Sequence, residues 1–166
     1  MSPITNVTRL LDSRKIAYTL CELPAEKMSA QETARLLNVP PEIVFKTIVV
    51  TRAKPKKPIL ALIPGPREVD LKALAKFLGE KKVYLATQRE AEALTGLQAG
   101  GISPLALLNK GFLVVLDASA QKQADTLRDA PGTGIHVSGG QRGLNIRLGV
   151  DDLVSLTRAR VGDISR

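Results

Sequence analysis

The sequence predicts an α/β domain: a mixed β-sheet or partial barrel with helices packed around it. Three observations point there. Helical stretches that open on capping residues alternate with short apolar runs of period 2. One such run, "EIVFKTIVVT" from Glu42 to Thr51, is apolar on both faces, so its strand should be covered on both sides. Some neighbouring strands are joined by turn-rich hairpin segments and others by helices, which mixes antiparallel with parallel pairing.

The elements follow in order. Ser2-Pro3 reads as an N-cap with proline at the first helical position, ahead of Ile4, Val7, Leu10 and Leu11 at helical spacing. A strand is expected around Ile16–Leu20. "SAQETARLL" opens with a capping box, Ser29 with Glu32, and predicts a short helix. Pro40-Pro41 restarts the chain in a helical turn before the Glu42–Thr51 strand. "RAKPKKP" is a basic turn joining that strand to "ILALIPG" as a hairpin. Asp70 caps a helix carrying Leu71, Leu74, Ala75 and Leu78, which Gly79 stops. Thr87 with Glu90 forms another capping box, leading to Leu94. "FLVVLD" is an apolar strand and "SAQKQADTLRD" a polar helix or long loop. "GIHVSGG" and "LNIRLG" pair as a hairpin, and "DDLVSLT" is a last helix. There are no repeats and no low-complexity linker, so residues 1–166 are expected to form one domain.

Composition bounds the function. The chain has 166 residues, 44% hydrophobic and 24% charged, as in an ordinary globular protein with a real core. A single cysteine, Cys21, leaves no internal disulfide framework and no multi-cysteine metal site, and is expected to be a small buried hydrophobe. A single histidine, His136, makes a histidine zinc site or a Ser-His-Asp triad hard to assemble; a core or rim position suits it better than a general base. No metal or cofactor is implied. No apolar run approaches the roughly 20 residues of a membrane span, and the N-terminus lacks a basic-then-apolar signal pattern. A cytoplasmic protein is expected. The net charge of +8 and a pI near 9.9 favour a polyanionic partner. With aromatics at 3%, a nucleic acid would be held by its backbone or a structured terminus.

Three features carry the chemistry. Lys46 lies mid-strand among Phe45, Ile48, Val49 and Val50, sharing a face with Val44, Ile48 and Val50. Phe45, Thr47 and Val49 take the other face, where Thr47 is structural with a backbone that can line a pocket. A strand lysine can simply reach solvent at a sheet end. Two glycine-rich stretches, "GLQAGGISPL" from Gly96 to Leu105 and "SGGQRG" from Ser138 to Gly143, allow backbone N–H groups to approach a ligand. Neither has P-loop or Rossmann spacing, and either alone reads as a tight turn.

Together, "VFKTIVV", "GGISPL" and "SGGQRGLNI" resemble, in order and spacing, the YbaK family of free-standing aminoacyl-tRNA deacylases. That family is related to the editing domain inserted in bacterial prolyl-tRNA synthetases. The resemblance extends over nearly the whole chain, including "DLKALAKFLGEKKV" between the first two motifs. It implies an editing-domain fold, hydrolysis of mischarged tRNA, and Cys-tRNA, including cysteine on the proline tRNA, as substrate class. It also implies that the substrate's own thiol attacks its ester, with no enzyme nucleophile. The partners implied are the acceptor end of an aminoacyl-tRNA and a prolyl-tRNA synthetase. The chain departs from the family at Leu23, where the family carries a tyrosine, at Asn145, where it carries an aspartate, and in a longer Gln121–Gly134 segment.

An aminoacyl ester is already activated, so a stabiliser for the oxyanion and a positioned nucleophile suffice. Backbone N–H groups of Gly100, Gly101 and Ile102 are the expected oxyanion donors, each worth on the order of 3 kcal/mol in other enzymes. Lys46, if buried, needs an anion or carbonyl ligand to offset desolvation. Ser103, Pro104, Gly139, Gly140, Arg142 and Asn145 are expected at the substrate, Ser103 and Pro104 mainly by shaping the loop and Arg142 toward the RNA backbone. Water is the nucleophile for a substrate without a thiol. Removal of alanine from the proline tRNA, and a non-catalytic module that binds tRNA or a synthetase, are the alternatives.

Overall fold

The computed structural model describes residues 3–126 and 134–166. Among the described residues, six α-helices surround two sheets: α1 (Asn6–Ser13), α2 (Ala30–Leu37), α3 (Leu71–Leu78), α4 (Gln88–Thr95), α5 (Ser119–Thr126) and α6 (Val150–Thr157). Strands β1 (Tyr18–Glu22), β6 (Ile135–Ser138) and β7 (Leu144–Leu148) make an antiparallel sheet in the order β1-β7-β6. Strands β2 (Phe45–Arg52), β3 (Ile59–Pro64), β4 (Val83–Leu85), β5 (Leu113–Asp117) and β8 (Arg160–Gly162) make a mixed sheet in the order β4-β2-β3-β5-β8. A bridge between Val44 and His136 joins one sheet to the other.

Most element starts are set by local chemistry. Ser29 and Thr87 each accept the N–H of the glutamate three residues on, and Glu32 and Glu90 return the bond to the cap N–H, as the capping boxes require. Asp70 accepts from Ala73 N–H, and Gly79 ends α3 in the left-handed conformation. The first helix differs from expectation. Thr5 is its N-cap, because Thr5 and Thr8 close a reciprocal box, and Pro3 lies outside the helix; Ser2 lies outside the described residues. Strand β1 runs two residues later than expected, in the register Tyr18↔Leu148 to Glu22↔Leu144. Strands β4 and β8, of three residues each, were not foreseen. Much of the extra length at Gln121–Gly134 lies outside the described residues.

Strand β3 is buried along its whole length because the five-stranded sheet is covered on both faces. One face packs Phe45, Val49, Leu60, Leu62 and Leu116 against Ile135, Ile146 and Leu148 of the other sheet. The opposite face packs Val50, Ile59, Ala61, Ile63 and Val115 beneath Leu74 and Ala75 of α3. The expected two-sided coverage of the Glu42–Thr51 strand is thereby met, with the cavity described next interrupting it.

Candidate active site

A cavity of about 420 Å³ opens where β2 lacks a long neighbour. Pro64 has no N–H, so Phe45↔Pro64 is a non-hydrogen-bonded pair of the β2–β3 ladder. Alternation then turns the N–H and C=O of Phe45, Thr47 and Val49 away from β3. The Val49 carbonyl accepts the Ala86 N–H at 3.0 Å, and β4 pairs with Val50–Arg52. Val44, at the other end, bridges to His136. Between these two attachments the strand edge is open, and the backbone of Thr47 faces the cavity it lines.

Lys46 lines the same cavity, half-buried. Its Nζ donates to the Gly65 carbonyl at 3.0 Å. Burial lowers its pKa from the ordinary lysine value, against an opposing pull upward from the Glu68 carboxylate.

The two glycine-rich stretches dock on one another. A Cβ on Gly101 would lie 2.8 Å from Gln141 Cα and 3.0 Å from Arg142 N, so only glycine permits this approach. Arg142 Nε donates to the Ala99 carbonyl at 2.7 Å, clasping one loop to the other. Gly100, with φ of +89°, and Ile102 line the cavity. Gly101 does not, and its N–H is taken by the Gln98 carbonyl at 2.8 Å, which removes it as an oxyanion donor.

Other expected contacts also lie elsewhere. Ser103 is fully buried away from the cavity, its Oγ accepting the Leu105 N–H; with Pro104 it starts a 3-10 turn. Gly139 donates to the Leu144 carbonyl and Gly140 to Ser138 Oγ, both within the β6–β7 turn. That turn meets the cavity through Ser138, Gly143, Leu144 and Asn145 instead. Asn145 is buried, and its Oδ1 stands 2.7 Å from His136 Nδ1. Because an amide oxygen only accepts, the imidazole proton sits on Nδ1 and the Asn145 NH₂ is left for the cavity. Burial lowers the His136 pKa most, the Asn145 bond raises it and Arg147 lowers it.

Leu23 also lines the cavity, so Leu23 and Asn145, two of the three departures expected from the resembled family, stand at its wall. The sequence reading missed the walls from Glu26–Thr33 and Leu85–Gln88; their only signals were the capping boxes at Ser29 and Thr87, residues that themselves line the cavity. The lining hydroxyls of Ser29 and Thr87 accept cap bonds, Ser138 accepts from Gly140, and Thr33 donates to the Ser29 carbonyl. None of these bonds links a hydroxyl to a histidine or carboxylate base. Among the described residues, no group of three or more histidine, cysteine, aspartate or glutamate side chains is placed to hold a metal ion. No helix among them is long and apolar enough to cross a membrane.

The aminoacyl-tRNA editing domain family matches residues 24–145. Over 163 residues the chain is 34% identical to EbsC of Enterococcus faecalis, named as a candidate Cys-tRNA(Pro)/Cys-tRNA(Cys) deacylase, spanning 97% of this chain and 93% of that protein. It is 27% identical over 138 residues to the proline–tRNA ligase of Streptococcus uberis, spanning 83% of this chain and 21% of the ligase. A solved structure described as a candidate trans-editing enzyme for prolyl-tRNA synthetase superposes with a TM-score of 0.75 at 24% identity, over 99% of both chains. A hypothetical protein superposes with a TM-score of 0.83 at 23% identity, over 98% of this chain and all of that one. These two likenesses establish the fold.

Proposed function

The chain belongs to the aminoacyl-tRNA editing domain family, and on that premise we propose that it is a cytoplasmic hydrolase that clears mischarged tRNA in trans, with residues 1–166 acting as one editing domain. The substrate class we assign is Cys-tRNA, including cysteine on the proline tRNA, with a prolyl-tRNA synthetase as the partner that delivers it. The observation that carries the reading is the cavity itself: Lys46, Gly100, Ile102 and Asn145 meet at the open edge of β2, within the segment matched to the family.

The cavity supplies donors, not a nucleophile. The ammonium of Lys46 and the free NH₂ of Asn145 are directed at the oxygen-rich end of an ester linked to RNA, and the backbone of Thr47, Gly100 and Ile102 takes the acyl group. Attack on the acyl carbon comes from the substrate's own thiol or from water. The bond to the ribose oxygen breaks, that oxygen leaves with a proton, and the acyl group ends as the free amino acid once water has added. Stabilising the oxyanion is worth on the order of 3 kcal/mol per donor.

Single-turnover deacylation of Cys-tRNA and Ala-tRNA, both on the proline tRNA, tests this with wild type and Lys46→Ala. Rapid loss of cysteine, reduced at least a hundredfold by the variant with tRNA affinity held, is expected. Because burial lowers the Lys46 pKa, the rate should also fall as pH rises through a value below that of an ordinary lysine. Loss of alanine alone would move the specificity to the alanyl ester. Hydrolysis of neither ester would reduce the protein to a binding module.

A further inference from the structure

We infer that the edge strand β4 and the basic end of the five-stranded sheet form the surface that carries the RNA strand away from the cavity. Three separate chain segments meet at this end of the sheet: the β2–β3 turn, the entry to β4 and the entry to β5. Together they carry Arg52, Lys54, Lys56, Lys57, Lys81, Lys82 and Lys110 and a single acid, Glu80. Glu80 is occupied by Lys56 at 2.7 Å and Arg52 at 3.4 Å, which holds the turn against the β4 entry. Lys57 lies over Gly111, whose added Cβ would stand 3.3 Å from its Cε. Lys54, Lys57, Lys81, Lys82 and Lys110 are all exposed. A solvated basic surface needs no such convergence. A phosphate backbone crossing this end would find exposed cations on three separate segments.

Strand β4 links this end to the cavity. Leu85, 58% exposed, lines the cavity; Tyr84, on the opposite face of the strand, is 52% exposed with Lys82 Nζ 5.4 Å from its ring centre. At roughly 3.3 Å per residue, Lys82 lies about 10 Å of chain from Leu85, the reach of about three stacked nucleotides at roughly 3.4 Å each. An exposed ring at that position offers a stacking platform for an unpaired base, with Lys82 beside it for the phosphate. The partner that fits is an RNA whose unpaired 3′ end enters the cavity and whose adjoining duplex lies on the lysines. This rests on the editing reading only for the identity of that RNA.

The test is binding of an uncharged tRNA transcript to the full chain across a salt series. Replacing Lys54, Lys57, Lys81 and Lys82 together by alanine should cut affinity at least tenfold and lower the slope of log affinity against log salt by roughly 2 to 4, at about 0.7–0.9 for each phosphate no longer neutralised. Tyr84→Ala should weaken binding roughly 5- to 150-fold with the slope unchanged, and Tyr84→Phe should bind as wild type. Arg9→Ala with Arg14→Ala, exposed on and just after α1, should leave the slope in place. The quadruple variant should also lose kcat/KM on aminoacyl-tRNA but not on the corresponding aminoacyl-adenosine. If wild type hydrolyses neither ester, the editing reading fails while the salt slope still decides the surface. A wild-type slope in the quadruple variant overturns the proposal. An effect that appears only with prolyl-tRNA synthetase present also overturns it, by assigning the lysines to an acidic protein face.

Discussion

A lysine within an apolar strand needs a partner for its ammonium, and Lys46 finds one in the Gly65 carbonyl while keeping a face on the cavity. Its type and strand position were legible from "VFKTIVV" alone; its partner was not, because Gly65 is nineteen residues away and reaches it through the β2–β3 pairing. Asn145 and His136 are a sharper case. The sequence presents an asparagine in a glycine motif and a lone histidine, and their meeting at 2.7 Å depends on adjacent strands. The pair has a measurable consequence. Burial holds the folded His136 pKa below 6.5, so the imidazole is neutral in the fold. As pH falls below about 6.5 the unfolded chain binds a proton that the folded chain resists, and stability falls by up to about 1.4 kcal/mol per pH unit until the lowered pKa is reached. Denaturant midpoints between about pH 7 and about pH 5 should therefore decline in wild type and much less in His136→Phe. No other histidine contributes in that window. An equal decline in both would show that His136 is not held neutral.

Among the elements, helix starts were the easiest to foresee. Ser29–Glu32 and Thr87–Glu90 are local hydrogen-bond patterns that need no tertiary partner. The loops were foreseen only in kind. "GGISPL" and "SGGQRG" announce turns, yet which glycine faces a ligand depends on how the two loops pack. The structure gives Gly101 to the loop–loop contact and the cavity to Gly100 and Ile102. Gly101→Ala sets a methyl carbon against the backbone of Gln141 and Arg142, atoms that cannot rotate aside. We expect a cost of about 1–3 kcal/mol from overpacking, and at least a tenfold fall in kcat with tRNA affinity retained. Thermal unfolding with single-turnover rates checks both, and unchanged values would mean that the loops are free to separate.

At the scale of the whole molecule, β3 is buried on both faces because the second sheet covers one side and α3 the other. Leu62 and Ile63 are neighbours in sequence and belong to different cores. Leu62→Ala and Ile63→Ala should each cost about 2–5 kcal/mol in denaturant unfolding. A large cost at one and almost none at the other would mean that one face is open. The same assembly gathers the lysines of the β2–β3 turn with Lys81, Lys82 and Lys110, which are scattered in sequence. Strands β4 and β8 escaped the sequence reading because three residues are too few to show a period; they are strands only because β2 and β5 offer an edge. What the sequence determined by itself was whatever short-range chemistry settles: caps, hairpins, the apolar β2, and three motifs in order. The tertiary structure alone decided the open edge at Thr47, the Asn145–His136 pair, the docking of the glycine loops and the basic end beside Tyr84. Each of those depends on contacts between residues far apart in the chain, and no local pattern encodes the distance between them.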